Sequence, residues 1–180
     1  MEVTRFQELR EMVIAAGFGD EIVWQESLKP CDNADEFFNQ YMWVVLSSGM
    51  KNQVARIIES RIYAAWAAGK PTSSAFNHQG KVKAIDIVRL NKDLYFNRWK
   101  NTQDKILCLN KMPWIGSITA WHLAKNLGDD VVKPDRHLVR LSQAEKTTPQ
   151  ELCQHLADQT GYRIATVDLI LWRAANLGFI

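Results

Sequence analysis

Lys111-Met-Pro-Trp-Ile-Gly116-Ser-Ile-Thr-Ala120-Trp-His-Leu-Ala-Lys125-Asn-Leu-Gly128 runs into Asp129-Asp-Val-Val-Lys133-Pro-Asp135-Arg-His137-Leu-Val-Arg140-Leu. The spacing predicts a helix, a tight turn over Pro113 to Gly116, and a second helix of about three turns from Ser117, closed by Gly128. Such a turn aims backbone N–H groups outward from a helix N-terminus, where partial positive charge favours an anion such as phosphate. Gly116 is expected to adopt a conformation, or an approach to phosphate, that a side chain would obstruct. A further helix is expected to start at Pro134, a residue suited to a first turn, which places Asp135 in that turn.

Helical periodicity extends outward from this stretch in both directions. Phe6, Leu9, Met12, Val13 and Ala16 make one apolar face that Gly17 and Gly19 end, and Ile22 to Trp24 belong to a short piece that stops before Pro30. Asn33 or Asp32 can cap a helix from Ala34 to about Gly49. The next runs from Val54 to Ala68 and stops at Gly69-Lys70-Pro71. Further helices are expected over 80–90, 93–109, 116–127, 135–144, 148–158 and 164–176. No stretch alternates at period two. The expected fold is all-α, a compact bundle of about ten short helices in a single domain over 1–180, with the polar connection 69–80 as its candidate hinge.

The chain has 180 residues, 47% hydrophobic and 23% charged, which suffices for a globular core and argues against low-complexity or collagen-like sequence. Its longest apolar run, Ile62 to Ala68, spans seven residues, against about 20 for a membrane span. MEVTRFQELRE lacks the apolar core of a secretory signal. Three scattered cysteines, Cys31, Cys108 and Cys153, write neither a disulfide framework nor a paired-cysteine metal site. A soluble, intracellular protein is expected. Net charge is −6 over residues 1–50, +9 over 51–140 and −1 over 141–180. The central excess fits a polyanion partner, or is neutralised by the acidic segments on folding.

The hairpin and the segment after it resemble the helix-hairpin-helix DNA glycosylases. That superfamily carries Leu-Pro-Gly-Val-Gly with a following Thr-Ala, then Val-Asp-x-His one helix later. The counterparts here are Met112-Pro113-Trp114-Ile115-Gly116, Thr119-Ala120 and Pro134-Asp135-Arg136-His137. A weaker echo lies at Leu46-Ser47-Ser48-Gly49-Met50-Lys51-Asn52, where family members carry a loop that enters the DNA stack.

The resemblance implies that Asp135 is the catalytic aspartate. Breaking an N-glycosidic bond builds positive charge on the sugar, which a nearby carboxylate stabilises while it orients or deprotonates water. An Asp in that place also serves as a plain helix-dipole partner. The hairpin residues Pro113, Trp114, Ile115, Gly116, Ser117 and Thr119 would hold backbone phosphates. Lys51, Asn52 and Gln53 would fill the gap left by a flipped nucleotide, or form a plain polar connection between helices; Lys133 and Arg136 would hold phosphates or keep Asp135 ionised, or be plain surface cations. His137 is expected near the site in a structural role. Trp24, Trp43 and Trp121 are candidate walls of a base pocket; core packing is the other reading of each.

Trp114 stands where the family has its first hairpin glycine. Ile118 stands where bifunctional members place the lysine whose amine attacks C1′. Lys111 and Lys125 lie outside that position, and Lys125 reads as a phosphate contact or solvated residue. The four-cysteine iron–sulfur cluster of one branch cannot be built from three cysteines. The expectation is a monofunctional DNA glycosylase that flips and hydrolytically excises a damaged or modified base, extending to bulky modified pyrimidines of phage DNA, with a role in base excision repair or phage defence. The alternatives are an inactive DNA-binding relative and a glycosylase-fold enzyme acting on modified thymine. No organic cofactor and no metal ligand set is expected beyond a monovalent cation held by hairpin carbonyls. The expected partner is double-stranded DNA, bound by a cytoplasmic, nucleoid-associated monomer with no membrane association.

Overall fold

The computed structural model describes residues 1–180, which form eleven α-helices and no strand. No helix is long and apolar enough to cross a membrane. The chain divides into two compact units, Met1–Pro30 with Ala124–Ile180, and Cys31–Leu123. The divisions therefore fall before α3 and inside α8, while the polar connection 69–80 lies wholly within the second unit.

The first unit holds α1 (Val3–Val13), α2 (Gly19–Ser27), the end of α8 (Ser117–Asn126), α9 (Arg136–Ala144), α10 (Pro149–Thr160) and α11 (Ile164–Asn176). Helix α11 is buried along nearly its whole length, as its apolar circumference requires, and α1, α2, α9 and α10 pack around it. Phe6, Leu9, Ile22, Leu138, Leu156 and Ile170 belong to the shared core. Between α1 and α2 the chain makes a π-turn over 14–18, where Gly17 takes φ +90°. The first helix thus ends at Val13 rather than at Ala16. Helix α10 starts with Pro149 behind a reciprocal cap: Thr148 accepts from the Glu151 amide, and Glu151 accepts from the Thr148 amide.

The second unit is built on α3 (Ala34–Ser47), capped by Asn33 through the Glu36 amide at 2.8 Å. Helices α4 (Asn52–Ala67), α5 (Gln79–Leu90) and α6 (Lys92–Lys100) pack on it, and α7 (Lys105–Asn110) follows α6. Phe37, Phe96 and Trp99 form an aromatic cluster with centroids 5.5–6.1 Å apart. The expected single helix over 93–109 is two helices. Asn101 turns its side chain back to the Asn97 carbonyl, and Asp104 caps α7 through the Leu107 amide. These short polar side chains compete with the helical ladder and stop it. The 69–80 connection is tied down by Trp66 Nε1–H donating to Thr72 Oγ1, 2.9 Å, and by Thr72 donating to Asp86.

Candidate functional site

In the second unit the hairpin turn joins α7 to α8. Met112 and Ile115 are buried beneath it, while Trp114, Gly116, Ser117 and Ile118 are exposed. The Tyr41 hydroxyl of α3 donates to the Pro113 carbonyl at 2.7 Å, and burial pushes its phenol pKa up, so it stays a protonated donor. The Gly116 amide donates to Thr119 Oγ1 at 2.7 Å, and Ala120 N–H donates to the Gly116 carbonyl at 2.9 Å. The N–H groups of Ser117 and Ile118, at the start of α8, have no intrahelical acceptor and are candidate anion donors.

The left-handed residue of this turn is Trp114, at φ +63°, not Gly116. A Cβ on Gly116 would meet only Thr119 Oγ1, 3.9 Å away, so the expected obstruction there is absent. An L-residue in this conformation costs about 1 kcal/mol. The Trp114 ring lies over Gly80 and edge-on to His78, with centroids 5.1 Å apart. Sequence reading missed Gly80, because no local pattern marks a glycine that a distant ring covers.

The Met112, Pro113 and Gly116 carbonyls accept from Ile115 N–H, the Tyr41 hydroxyl and Ala120 N–H. A carbonyl oxygen has two lone pairs, so these bonds leave the Met112 and Pro113 oxygens able to meet a monovalent cation, and no step below uses one.

The loop echoing the DNA-inserting segment follows α3. Gly49 takes φ +70°, and Lys51 and Asn52 are exposed at the start of α4. Lys81, which sequence reading passed over, is buried with its ammonium donating to the Leu46 and Ser48 carbonyls at 3.0 and 2.7 Å. It closes the end of α3, and burial lowers its pKa. Its place on the Lys81–Ile85–Val88 face of α5 was the available signal. The Arg56 guanidinium covers one face of Trp43 at 3.8 Å. Trp121, on α8, is half-buried in this unit.

In the first unit Asp135 is the N-cap of α9, one residue before the helical turn expected for it. Its Oδ1 accepts from the His137 and Leu138 amides at 2.9 and 3.3 Å, and its Oδ2 lies 3.7 Å from Lys133 Nζ. The carboxylate therefore divides its work: one oxygen holds the helix, and the other faces an ammonium. Lys133 is half-buried, and burial lowers its pKa while Asp135 opposes that shift. Arg136 is exposed, with Nε donating to His137 Nε2 at 3.4 Å. Trp24, on α2, is exposed.

Lys125 departs from expectation. It is buried and pairs with Asp168 of α11 at 2.9 Å, which rules out the solvated or phosphate-contacting role. Asp168 was missed, although a lone carboxylate inside Val167–Leu171 is a visible anomaly in an apolar run.

The all-helical fold is shared with solved DNA glycosylase structures. The chain is similar to the crystal structure of Methanocaldococcus jannaschii 8-oxoguanine DNA glycosylase, with TM-score 0.68 and 16% identity over 98% of this chain and 94% of that one. It is also similar to the same organism's 8-oxoguanine glycosylase/lyase in complex with 15mer DNA containing 8-oxoguanine, with TM-score 0.64 and 17% identity over 98% and 97% of the two chains. No family model matches the sequence, and a comparison with curated proteins finds no match.

Proposed function

We propose that the chain is a monofunctional DNA glycosylase: it grips duplex DNA by its phosphates, flips one damaged or modified base, and hydrolyses that base's N-glycosidic bond with water. The observation that carries this reading is Asp135, with Oδ1 locked by the α9 cap and Oδ2 left beside Lys133. A carboxylate held this way keeps its direction, which stabilising a cationic sugar and orienting water both require. Glycosylase fold, hairpin and following aspartate support the reading together. Ile118 stands at the lyase-lysine position and offers no amine, so water completes the displacement and an intact abasic site remains.

Mechanistically, Ser117 and Ile118 N–H would hold a phosphate, and exposed Lys51, Asn52 and Arg136 would add backbone or gap contacts. Once the base is extruded, Asp135 Oδ2 faces charge developing at C1′ and accepts the proton of attacking water. The base leaves as its N-glycosidic bond breaks and takes up a proton from solvent.

The test is mass spectrometry of bases released from a duplex panel carrying 8-oxoguanine, uracil, alkylated purines and bulky 5-substituted pyrimidines. The expected result is one free base with its strand unbroken. A second reading, a DNA-binding relative without activity, is favoured by the cap itself, since Asp135 already has a structural task; it predicts binding without release. An altered base still attached to the strand would indicate the third chemistry, on modified thymine in phage DNA.

A further inference from the structure

We propose that Asp168, buried in α11, is a positioning residue for Asp135; this rests on the glycosylase reading. Asp168 is 1% exposed, and its Oδ2 accepts both the Lys125 ammonium at 2.9 Å and the Lys133 backbone N–H at 2.8 Å. A buried ion pair adds little net stability over apolar residues of similar volume, because desolvation offsets the attraction. What apolar residues cannot do is accept a backbone N–H. The one accepted here lies two residues before Asp135.

The segment 128–135 has no helical ladder to order it: Gly128 and Asp129 N–H close the end of α8 on Lys125 and Ala124, and beyond them Val131 N–H donates to Asp129 and Asp135 N–H to Lys133. It is fastened to the start of α11 at three points. Arg163 Nη2 donates to the Gly128 carbonyl at 2.8 Å, Asp130 accepts from the Ala165 amide at 2.8 Å, and Asp168 takes Lys133 N–H. The last tie fixes the residue whose side chain faces Asp135 Oδ2. With Oδ1 committed to α9, the cap and Lys133 together define where Oδ2 points. An error near 1 Å at such a group costs about 10²-fold in rate, so a tie two residues away acts on chemistry without touching substrate.

The experiment is single-turnover base release by the full chain on the panel substrate that the wild type cleaves. Binding is measured separately, with a duplex carrying a tetrahydrofuran abasic analogue. Asp168→Leu, combined with Lys125→Met so that no ammonium is left buried alone, removes the acceptor of Lys133 N–H and is expected to lower the rate constant by about 10- to 100-fold, with full reaction amplitude and unchanged duplex affinity. Hydrogen exchange at the Lys133 amide should rise while that at Leu138 holds. Asp130→Ala opens the neighbouring tie and leaves the buried pair intact, so it decides the matter if the Asp168→Leu, Lys125→Met variant does not fold. It should show a smaller loss in the same rate constant. Reduced amplitude at an unchanged rate constant means a merely structural role and overturns the proposal, as do wild-type rate constants in both variants. Absence of release by the wild type from every panel member removes the glycosylase reading, and this role with it.

Discussion

The indole of Trp114 rests on Gly80 so closely that a Cβ there would come within 2.5 Å of the ring. The absent side chain of one residue thus seats the strained residue of the hairpin. Strain held in place by surrounding structure is common where a ligand is met. Trp114→Gly should relieve the φ of +63° and leave melting within a few degrees of wild type. Loss of the exposed ring should weaken binding to a tetrahydrofuran duplex by at least about 5-fold, the lower end of aromatic stacking on nucleotides. Gly80→Ala, by displacing the ring's flexible end, should weaken binding in the same direction. Unchanged affinity in both variants would remove Trp114 from the DNA interface.

Salt should weaken binding steeply. The charge of +9 over residues 51–140 and the first amides of α8, which have no intrahelical acceptor, are motives for phosphate contacts. Four to six neutralised phosphates give a slope of about −4 to −5 in log affinity against log salt. Fluorescence anisotropy on a labelled duplex measures it, and a flat profile would mean that the basic segment is neutralised internally.

Strand cleavage should be absent until alkali or heat is applied. Ile118, 41% exposed at the start of α8, stands where the sequence resemblance puts the lyase lysine and carries no nucleophile. Borohydride should trap no covalent complex with the wild-type chain, whereas Ile118→Lys should trap some. Efficient trapping by wild type would overturn hydrolysis by water, and Lys133, the amine beside Asp135, would be the first to replace.

The cap of α10 makes stability depend on pH. Glu151 accepts from Thr148 N–H and from the Thr148 and Thr147 hydroxyls, which hold its carboxyl below the usual range. A depressed folded-state pKa contributes stability above the unfolded value of 4.5 and loses it as pH falls through the folded value. Glu151→Gln should therefore melt below wild type near neutral pH, and the gap should close below about pH 4. A gap that persists in acid would show that the carboxylate charge is not what the cap uses.

The helices were legible because apolar spacing and the stops at Gly49, Gly69-Lys70-Pro71 and Gly128 are local signals. The hairpin and Asp135 were legible because they follow one another within 31 residues, 111–141. The break at Asn101–Asp104 was hidden because periodicity bridges a short polar interruption. Asp135 sits one residue outside its helix because its side chain captures the first amides, and boundaries of that size are rarely read from pattern. Lys125 was misread, and Asp168 and Lys81 were passed over, for another reason. Their partners lie more than 30 residues away, and a charge on a helix face looks solvated until the tertiary neighbour is known.

Asp135→Asn tests the central claim most directly. Asn caps a helix about as well as Asp, so α9 keeps its start and only the charge and the proton acceptor are lost. In single-turnover assays on the duplex that wild type cleaves, base release should fall by at least about 10²-fold. Affinity for the tetrahydrofuran duplex should stay within a few-fold, and melting within a few degrees. Release at the wild-type rate would contradict the account: Asp135 would then be a helix cap and nothing more.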